Sequence, residues 1–257
     1  MKIGEFDRDT GALQKRLEAH SRFGSRDLNT WIFEHLDLTP GLSILDLGCG
    51  TGKQTLPLAQ AVGPKGKVLA VDISQAALDD LQRQAREQGL AERIATRCLG
   101  LDAMEGQLEP AGLDRVVSSY AVYYVEDPRR LFRALHQALK DGGIFFACGP
   151  ALDNNADFLS FYYNLVKQSP PPLNKTGEFM EKTAPGLLRE IFGGVDIFRF
   201  ENPMRFDSAD ALLAYWSSHN LYDRQVEAAF RDAAGRHFRG HPEFVITKRA
   251  VGLRAKK

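Results

Sequence analysis

The stretch ILDLGCGTG, Ile44 to Gly52, constrains this chain more than any other. An apolar run ends in an acid, and three glycines follow at alternate positions, Gly48, Gly50 and Gly52. SILDL (43–47) reads as a buried strand, and the residues after the glycines carry a helical pattern. Glycine in a turn permits a backbone that other residues resist, and it lets the chain approach a ligand closely. A strand, a glycine turn and a helix in that order point to an open α/β fold, whose ligands bind outside the carboxyl ends of the strands.

The alternation continues. KVLAVD (67–72) is a second strand, entered through the turn GPKG. SQAALDDLQRQAREQGL is a helix with Leu78, Leu81 and Ala85 at helical spacing and Gly89 as its stop. RIATRCLG (93–100) and LDRVVSSY (113–120) are a third and fourth strand. Asp127 is placed to cap the next helix, with Pro128 at its first position and Gly142 at its end. GGIFFACG (142–149) is a fifth strand. Repeated strand–helix–strand units imply right-handed crossovers and a mainly parallel sheet. The pattern breaks at 151–192, where two helices flank SPPPLN, and three prolines forbid a helix there. Strands at 195–202 and 243–253 enclose helical residues 208–238 and suit a pair added to the sheet edge.

The glycine spacing decides what the first turn holds. It is GxGxG, and Lys53 stands where a dinucleotide-binding GxGxxG loop has its third glycine. No GxxxxGK[ST] phosphate loop is present at this turn. The second strand ends in Asp72, whose carboxylate can accept hydrogen bonds from both hydroxyls of a ribose. Asp46, just before the loop, would repel pyrophosphate and suit a cation. The site therefore asks for a nucleoside without phosphate near the glycines, and S-adenosylmethionine has those parts.

ILDLGCGTG with Asp72, then GLDAMEG and SSYAVYYVED, resembles the class I S-adenosylmethionine-dependent methyltransferases of the small-molecule type. The resemblance is specific over residues 40–150 and rests elsewhere on general layout. It implies that Asp46, Gly48, Gly50 and Gly52 line the methionine part and the turn, that Asp72 holds the ribose, and that Ile73 lies against the adenine. It implies further that Asp102 reaches the adenine amine, with Ala103 supplying a backbone amide, and that Ser119 and Tyr120 sit near the methionine tail or the methyl. Plainer readings stand beside these: Asp46 as a cap of the following helix, Asp102 as a solvated loop residue, Tyr120 as core and Cys49 as a loop filler.

A sulfonium methyl is already activated, so the enzyme mainly aligns and excludes water, and no fixed catalytic motif is expected. The fourth strand carries SSYA in place of the [DN]PP[YF] motif of base and glutamine methylation. Tyr123 and Tyr124, which follow that strand, are weak catalytic candidates beside His219 in YWSSHNLYD. His136 reads as a surface residue, and Gly240 and Pro242 spoil a metal face at His237 and His241, so no metal is expected. Tyr162, Tyr163, Tyr215 and Trp216 are weak substrate-lining candidates, since aromatic stripes at helical spacing also build cores.

The expected architecture is a Rossmann-like, doubly wound, mainly parallel seven-stranded sheet with helices on both faces and an α-helical cap. Residues 1–39 form a helical segment closing over the cofactor, with Arg22 and Phe23 taking part; 40–150 the cofactor-binding core; 151–192 a cap insertion that governs acceptor choice; and 193–257 the strands and helices completing the sheet. The expected activity is methyl transfer from S-adenosylmethionine to an oxygen or nitrogen of a small metabolite or natural product. A non-catalytic adenosyl-binding partner subunit, and a nicotinamide-dependent oxidoreductase, are the alternatives. Lys plus Arg equals Asp plus Glu at 33 each, which argues against nucleic acid or an anionic membrane as partner. Three cysteines (Cys49, Cys98, Cys148) without CxxC spacing suit a reducing compartment, and the polar N-terminus is no signal peptide, so the expected location is cytoplasmic.

Overall fold

A computed structural model describes residues 22–170 and 174–257. Seven strands form one sheet in the order β3-β2-β1-β4-β5-β7-β6. They are β1 (Ser43–Leu47), β2 (Lys67–Asp72), β3 (Ile94–Cys98), β4 (Leu113–Ser119), β5 (Leu139–Pro150), β6 (Asp196–Phe206) and β7 (Phe244–Lys256). The first five pair in parallel, and β7 runs antiparallel between β5 and β6. The expected mainly parallel seven-stranded sheet is therefore present.

Alternate strand residues face opposite layers. On one face, Ile44, Val68, Ala70, Val117, Phe146 and Cys148 pack against α1 (Leu28–Glu34), α2 (Thr55–Ala61) and α3 (Gln75–Glu87). On the other, Leu45, Leu47, Val116, Phe145 and Leu253 pack against α4 (Pro128–Ala138) and a helical run. That run comprises α6 (Lys175–Glu178), a π turn (Phe179–Thr183) and α7 (Ala184–Phe192). Helix starts follow the sequence cues: Ser74 caps α3, and the Asp127 carboxylate accepts from the Arg130 N–H at 3.0 Å to cap α4.

The expected segment 151–192 divides between two places. α5 (Ala156–Val166) packs with α8 (Ala209–Ser217) and α9 (Glu227–Gly240), while Met180, Ala184 and Leu188 join the sheet's second face. α4 ends at Ala138 and not at Gly142, because Leu139 is already extended and pairs with Leu113. The β4–β5 register then shifts before Arg115 meets Ile144, and the turn residues that read as a helix stop are accommodated within β5.

β6 and β7 exceed the predicted strands. β7 pairs with β5 only from Ala250 onward, and its residues 244–249 pair with β6 alone. This two-stranded extension carries a third core, in which Met204, Phe206, Phe244 and Ile246 meet Phe158, Tyr215, Trp216 and Phe230. Phe23 reaches the same cluster, its ring 4.6 Å from that of Phe206. Of the expected N-terminal helical segment 1–39, the described part holds α1, and residues 1–21 lie outside the described residues.

Candidate cofactor and acceptor site

The end of β2 suspends the glycine loop. The Val71 carbonyl accepts from the Gly48 and Cys49 N–H groups, at 2.8 and 3.1 Å. The Asp72 carboxylate accepts from the Gly50 N–H at 2.8 Å and the Ser74 N–H at 2.9 Å. All three glycines have positive φ, but their surroundings differ. A Cβ on Gly48 would fall 2.2 Å from the Ala121 Cβ, and one on Gly52 would fall 2.3 Å from a Leu81 methyl. A Cβ on Gly50 would meet nothing within 4 Å. Gly48 and Gly52 thus serve packing, and Gly50 is the apex that faces open space. That bare apex beside a carboxylate fits a nucleoside with an amino-acid tail.

Asp46 is fully buried and does not line a surface. Its carboxylate accepts from the Thr55 hydroxyl at 2.6 Å, a side-chain bond and not a cap of α2, whose N-terminus makes no side-chain cap bond. Burial raises its pKa to about 6, the Thr55 bond works against that shift, and the neighbouring Asp72 charge adds to it. Burial also pushes the Cys49 thiol far up, so it is no nucleophile.

On the adenine side, Ile73 is 63% exposed next to Gly100, an apolar face open to solvent. Asp102 spends one oxygen on the Glu126 N–H at 2.9 Å, which ties the β3 loop to the β4 loop. The Ala103 N–H donates to the Gly100 carbonyl at 3.0 Å, so the backbone amide expected to meet adenine is engaged within its own turn.

At the end of β4, Ser119 Oγ lies 3.3 Å from the Cys148 sulfur. Tyr120 has φ +59 and donates its N–H to the Cys148 carbonyl at 2.8 Å. Tyr120 is 38% exposed and so is not core, while the protein around its hydroxyl pushes that group's pKa up. Tyr123 is buried beneath the sheet's second face, and a Cβ on Gly149 would sit 3.0 Å from its ring and 2.9 Å from Met180. Tyr124 is half-buried, its ring 4.7 Å from that of Tyr123.

The remaining aromatic candidates belong to the cap. Trp216 is fully buried, stacked on Phe230 at 4.2 Å, and its indole N–H donates to the Leu221 carbonyl. Tyr162 is buried beside Trp216, and Tyr163 is half-buried beside Tyr162. Tyr215 is buried with its hydroxyl unpartnered. The His219 ring lies 5.1 Å from that of Phe158, and its Nδ1 accepts from the Leu221 N–H at 3.2 Å. His136 packs edge-on against Phe192 and is not a bare surface residue. His237 and His241 stack at 4.5 Å, and among the described residues no group of three or more His, Cys, Asp or Glu could hold a metal.

Several residues at this edge were not anticipated. The Asn29 side chain donates to the Lys53 carbonyl at 2.9 Å and accepts from Gln54 at 2.8 Å, clamping α1 to the glycine loop. Asn202 is buried, and its Oδ1 accepts from the Ser25 and Arg26 N–H groups at 2.8 and 3.1 Å. Its signal in the sequence is an amide at an inward position of a strand whose other inward residues are apolar. No helix among the described residues is long and apolar enough to cross a membrane.

Residues 44–143 match the family described as a methyltransferase domain. The demethylmenaquinone methyltransferase of Lactococcus lactis is 36% identical over 107 residues, which are 42% of this chain and 41% of the relative. The chain spans about half or less of the length of several curated relatives it matches. A SAM-dependent methyltransferase from Aquifex aeolicus superposes with a TM-score of 0.58 at 13% identity, over 96% of this chain and 97% of that one. Geranyl diphosphate C-methyltransferase from Streptomyces coelicolor, solved with S-adenosyl-L-homocysteine, gives 0.51 at 16% identity, over 89% and 76%. Residues 44–143 thus match a methyltransferase domain, and the chain has the fold of S-adenosylmethionine-dependent methyltransferase structures.

Proposed function

We propose that this protein transfers the methyl group of S-adenosylmethionine to an oxygen or nitrogen of a small metabolite or natural product. The observation that carries the reading is the bare apex of Gly50, held by Asp72 and facing open space, in a loop whose other two glycines are used up by packing. Asp72 would keep its second lone pairs for a ribose, and Ile73 would offer an apolar face to the base. Ser119 and Tyr120, at the end of β4, would border the methionine tail. When bound, the cofactor supplies a methyl already activated on sulfur. The chain's own part is to bind, to align the acceptor and to keep water out.

No histidine is placed as a general base by this reading. His219 and its neighbour Phe158 belong to the packing of the cap. An acceptor whose proton leaves late would require a base at the cleft, and Tyr124 is the best-placed hydroxyl after β4. The partner is a small molecule, and the balanced charge supports neither nucleic acid nor a membrane surface.

Calorimetric titration with S-adenosylmethionine, S-adenosylhomocysteine and NAD tests the cofactor. Binding of the first two and not the third is the expected result, and the reverse would favour an oxidoreductase. Incubation with labelled methyl donor and a metabolite library then tests transfer. Binding without transfer to any acceptor would favour a non-catalytic adenosyl-binding subunit.

A further inference from the structure

Between the sheet's first core and the cap core lies a polar rung. Asn202 and Lys248 are directly paired across β6 and β7. Below them on the same face are Phe200 and Ala250, and above them Met204 and Ile246. Directly opposed residues of an antiparallel pair share a face, so this lysine interrupts an otherwise apolar stripe. Its ammonium lies 5.4 Å from the centre of the Tyr215 ring, whose buried hydroxyl has no partner. A buried, unpartnered hydroxyl is costly unless something supplies its bond.

The neighbouring strap leads from this rung to the glycine loop. Ser25 and Arg26 donate to Asn202, and Asp27, next along, is among the charges acting on Lys53. Lys53 follows the last glycine of the loop. It is reached by solvent, yet desolvation by surrounding protein lowers its pKa, with Cys148 of β5 also near. Neither Lys53 nor Lys248 makes an ion pair within 4 Å among the described residues. Two ammonium groups thus stand at the two ends of one short strap, Lys53 with the Asp27 charge acting on it and Lys248 over the Tyr215 ring.

We infer that the acceptor is an organic anion, a carboxylic acid whose charge is taken by Lys248 beside Tyr215, with Lys53, at the other end of the strap, as a second cation. The inference rests on the methyltransferase reading and adds the substrate class to it. An acid held at this rung would extend its organic body toward the β4 edge, where Ser119 and Tyr120 stand.

The test uses the full chain saturated with S-adenosylhomocysteine. Benzoate, phenylacetate and indole-3-acetate are each titrated against the corresponding primary amide, by calorimetry or ligand-observed NMR. At least one acid is expected to bind at least about tenfold tighter than its amide. Lys248→Gln should abolish that preference, Lys248→Arg should retain part of it, and Lys53→Gln should reduce it. Binding of no acid, equal binding of acid and amide, or an unchanged preference in both glutamine variants overturns the assignment. If the parent fails to bind S-adenosylhomocysteine at all, the methyltransferase reading falls and the acid subsite falls with it. If it binds the cofactor product and ignores charge, only the subsite falls.

Discussion

The methyltransferase domain and the cap both bury apolar side chains, but they use them differently. In residues 44–143 the buried apolar groups are mostly aliphatic and alternate with strand periodicity, and at the sheet edge Asp72 and Asp102 accept from backbone N–H groups. In the cap the apolar groups are aromatic, come from α5, α8, α9 and the projecting strands, and meet in one cluster. The first region leaves Gly50 and Asp72 at its edge, while the second closes on itself. The aromatic stripe of the cap therefore speaks of packing, and in the core Gly48, Gly52 and Asp46 do so as well.

Removing Trp216 strains that contrast most. Trp216→Ala takes a fully buried indole from the centre of the cap and is expected to cost about 3–5 kcal/mol. S-adenosylhomocysteine affinity should stay within a few-fold in the folded fraction. Urea unfolding and calorimetry on one sample check both. A folded variant that no longer binds the product would show that the cap shapes the cofactor cleft.

Two glycines separate packing from binding inside the core. Gly48→Ala would force a Cβ to 2.2 Å from Ala121 at φ +71, and overpacking with left-handed strain predicts a loss of about 2–5 kcal/mol. Gly50→Val carries the strain but no clash at its Cβ, roughly 1–2 kcal/mol. It should nonetheless remove measurable S-adenosylhomocysteine binding. Normal binding by folded Gly50→Val would move the cofactor away from the apex.

Asp46 supplies a pH test. Its folded pKa of about 6 lies above the ordinary carboxyl value, so folding favours the protonated form. Its stabilisation is fully present below about pH 4 and is lost as pH rises through about 6. Two units correspond to at most roughly 3 kcal/mol. Stability measured at pH 4.5 and 7.5 should fall further in the parent than in Asp46→Asn, which keeps an acceptor for Thr55. Equal falls would mean that this carboxyl is better solvated than its burial implies.

Asp72 gives the smallest effect in energy and the sharpest in specificity. Asp72→Ala is expected to weaken S-adenosylhomocysteine binding by at least about tenfold, close to 1.4 kcal/mol. The parent should prefer S-adenosylhomocysteine over its 2′-deoxy analogue and the variant should not. Because Asp72 also holds the Gly50 N–H, part of the loss will come from the loop itself. Discrimination by the 2′-hydroxyl is the readout that loop damage alone would leave in place.

Much of the core was legible because local signals and tertiary demands coincide there. SILDL and KVLAVD are strands to the residue, and Asp127 caps the helix it precedes. The glycine loop was legible as a turn, but not that Gly48 and Gly52 answer to Ala121 and Leu81, since those partners lie far along the chain. The helical run 175–192 shows amphipathicity in its sequence without showing which face of the sheet it meets. Asn202 and Lys248 are silent in the sequence for a related reason: their pairing exists only once β6 and β7, with two helices between them, are brought into register.

The extension of β6 and β7 beyond β5 has a mechanical consequence. The cap stands on a continuous ribbon anchored in the sheet along Ala250 to Lys256. Such a ribbon bends and twists but does not swing, because each strand restrains the other along its length. On the proposed function, entry of the acceptor and escape of the product would then depend less on a hinged lid than on the strap at Ser25–Asp27, fastened to the ribbon by the Asn202 amide and by Arg26, which reaches the Glu201 carbonyl and the Phe200 ring. Exchange of those two backbone protons, measured against that of the neighbouring strands, would report how often the doorway opens.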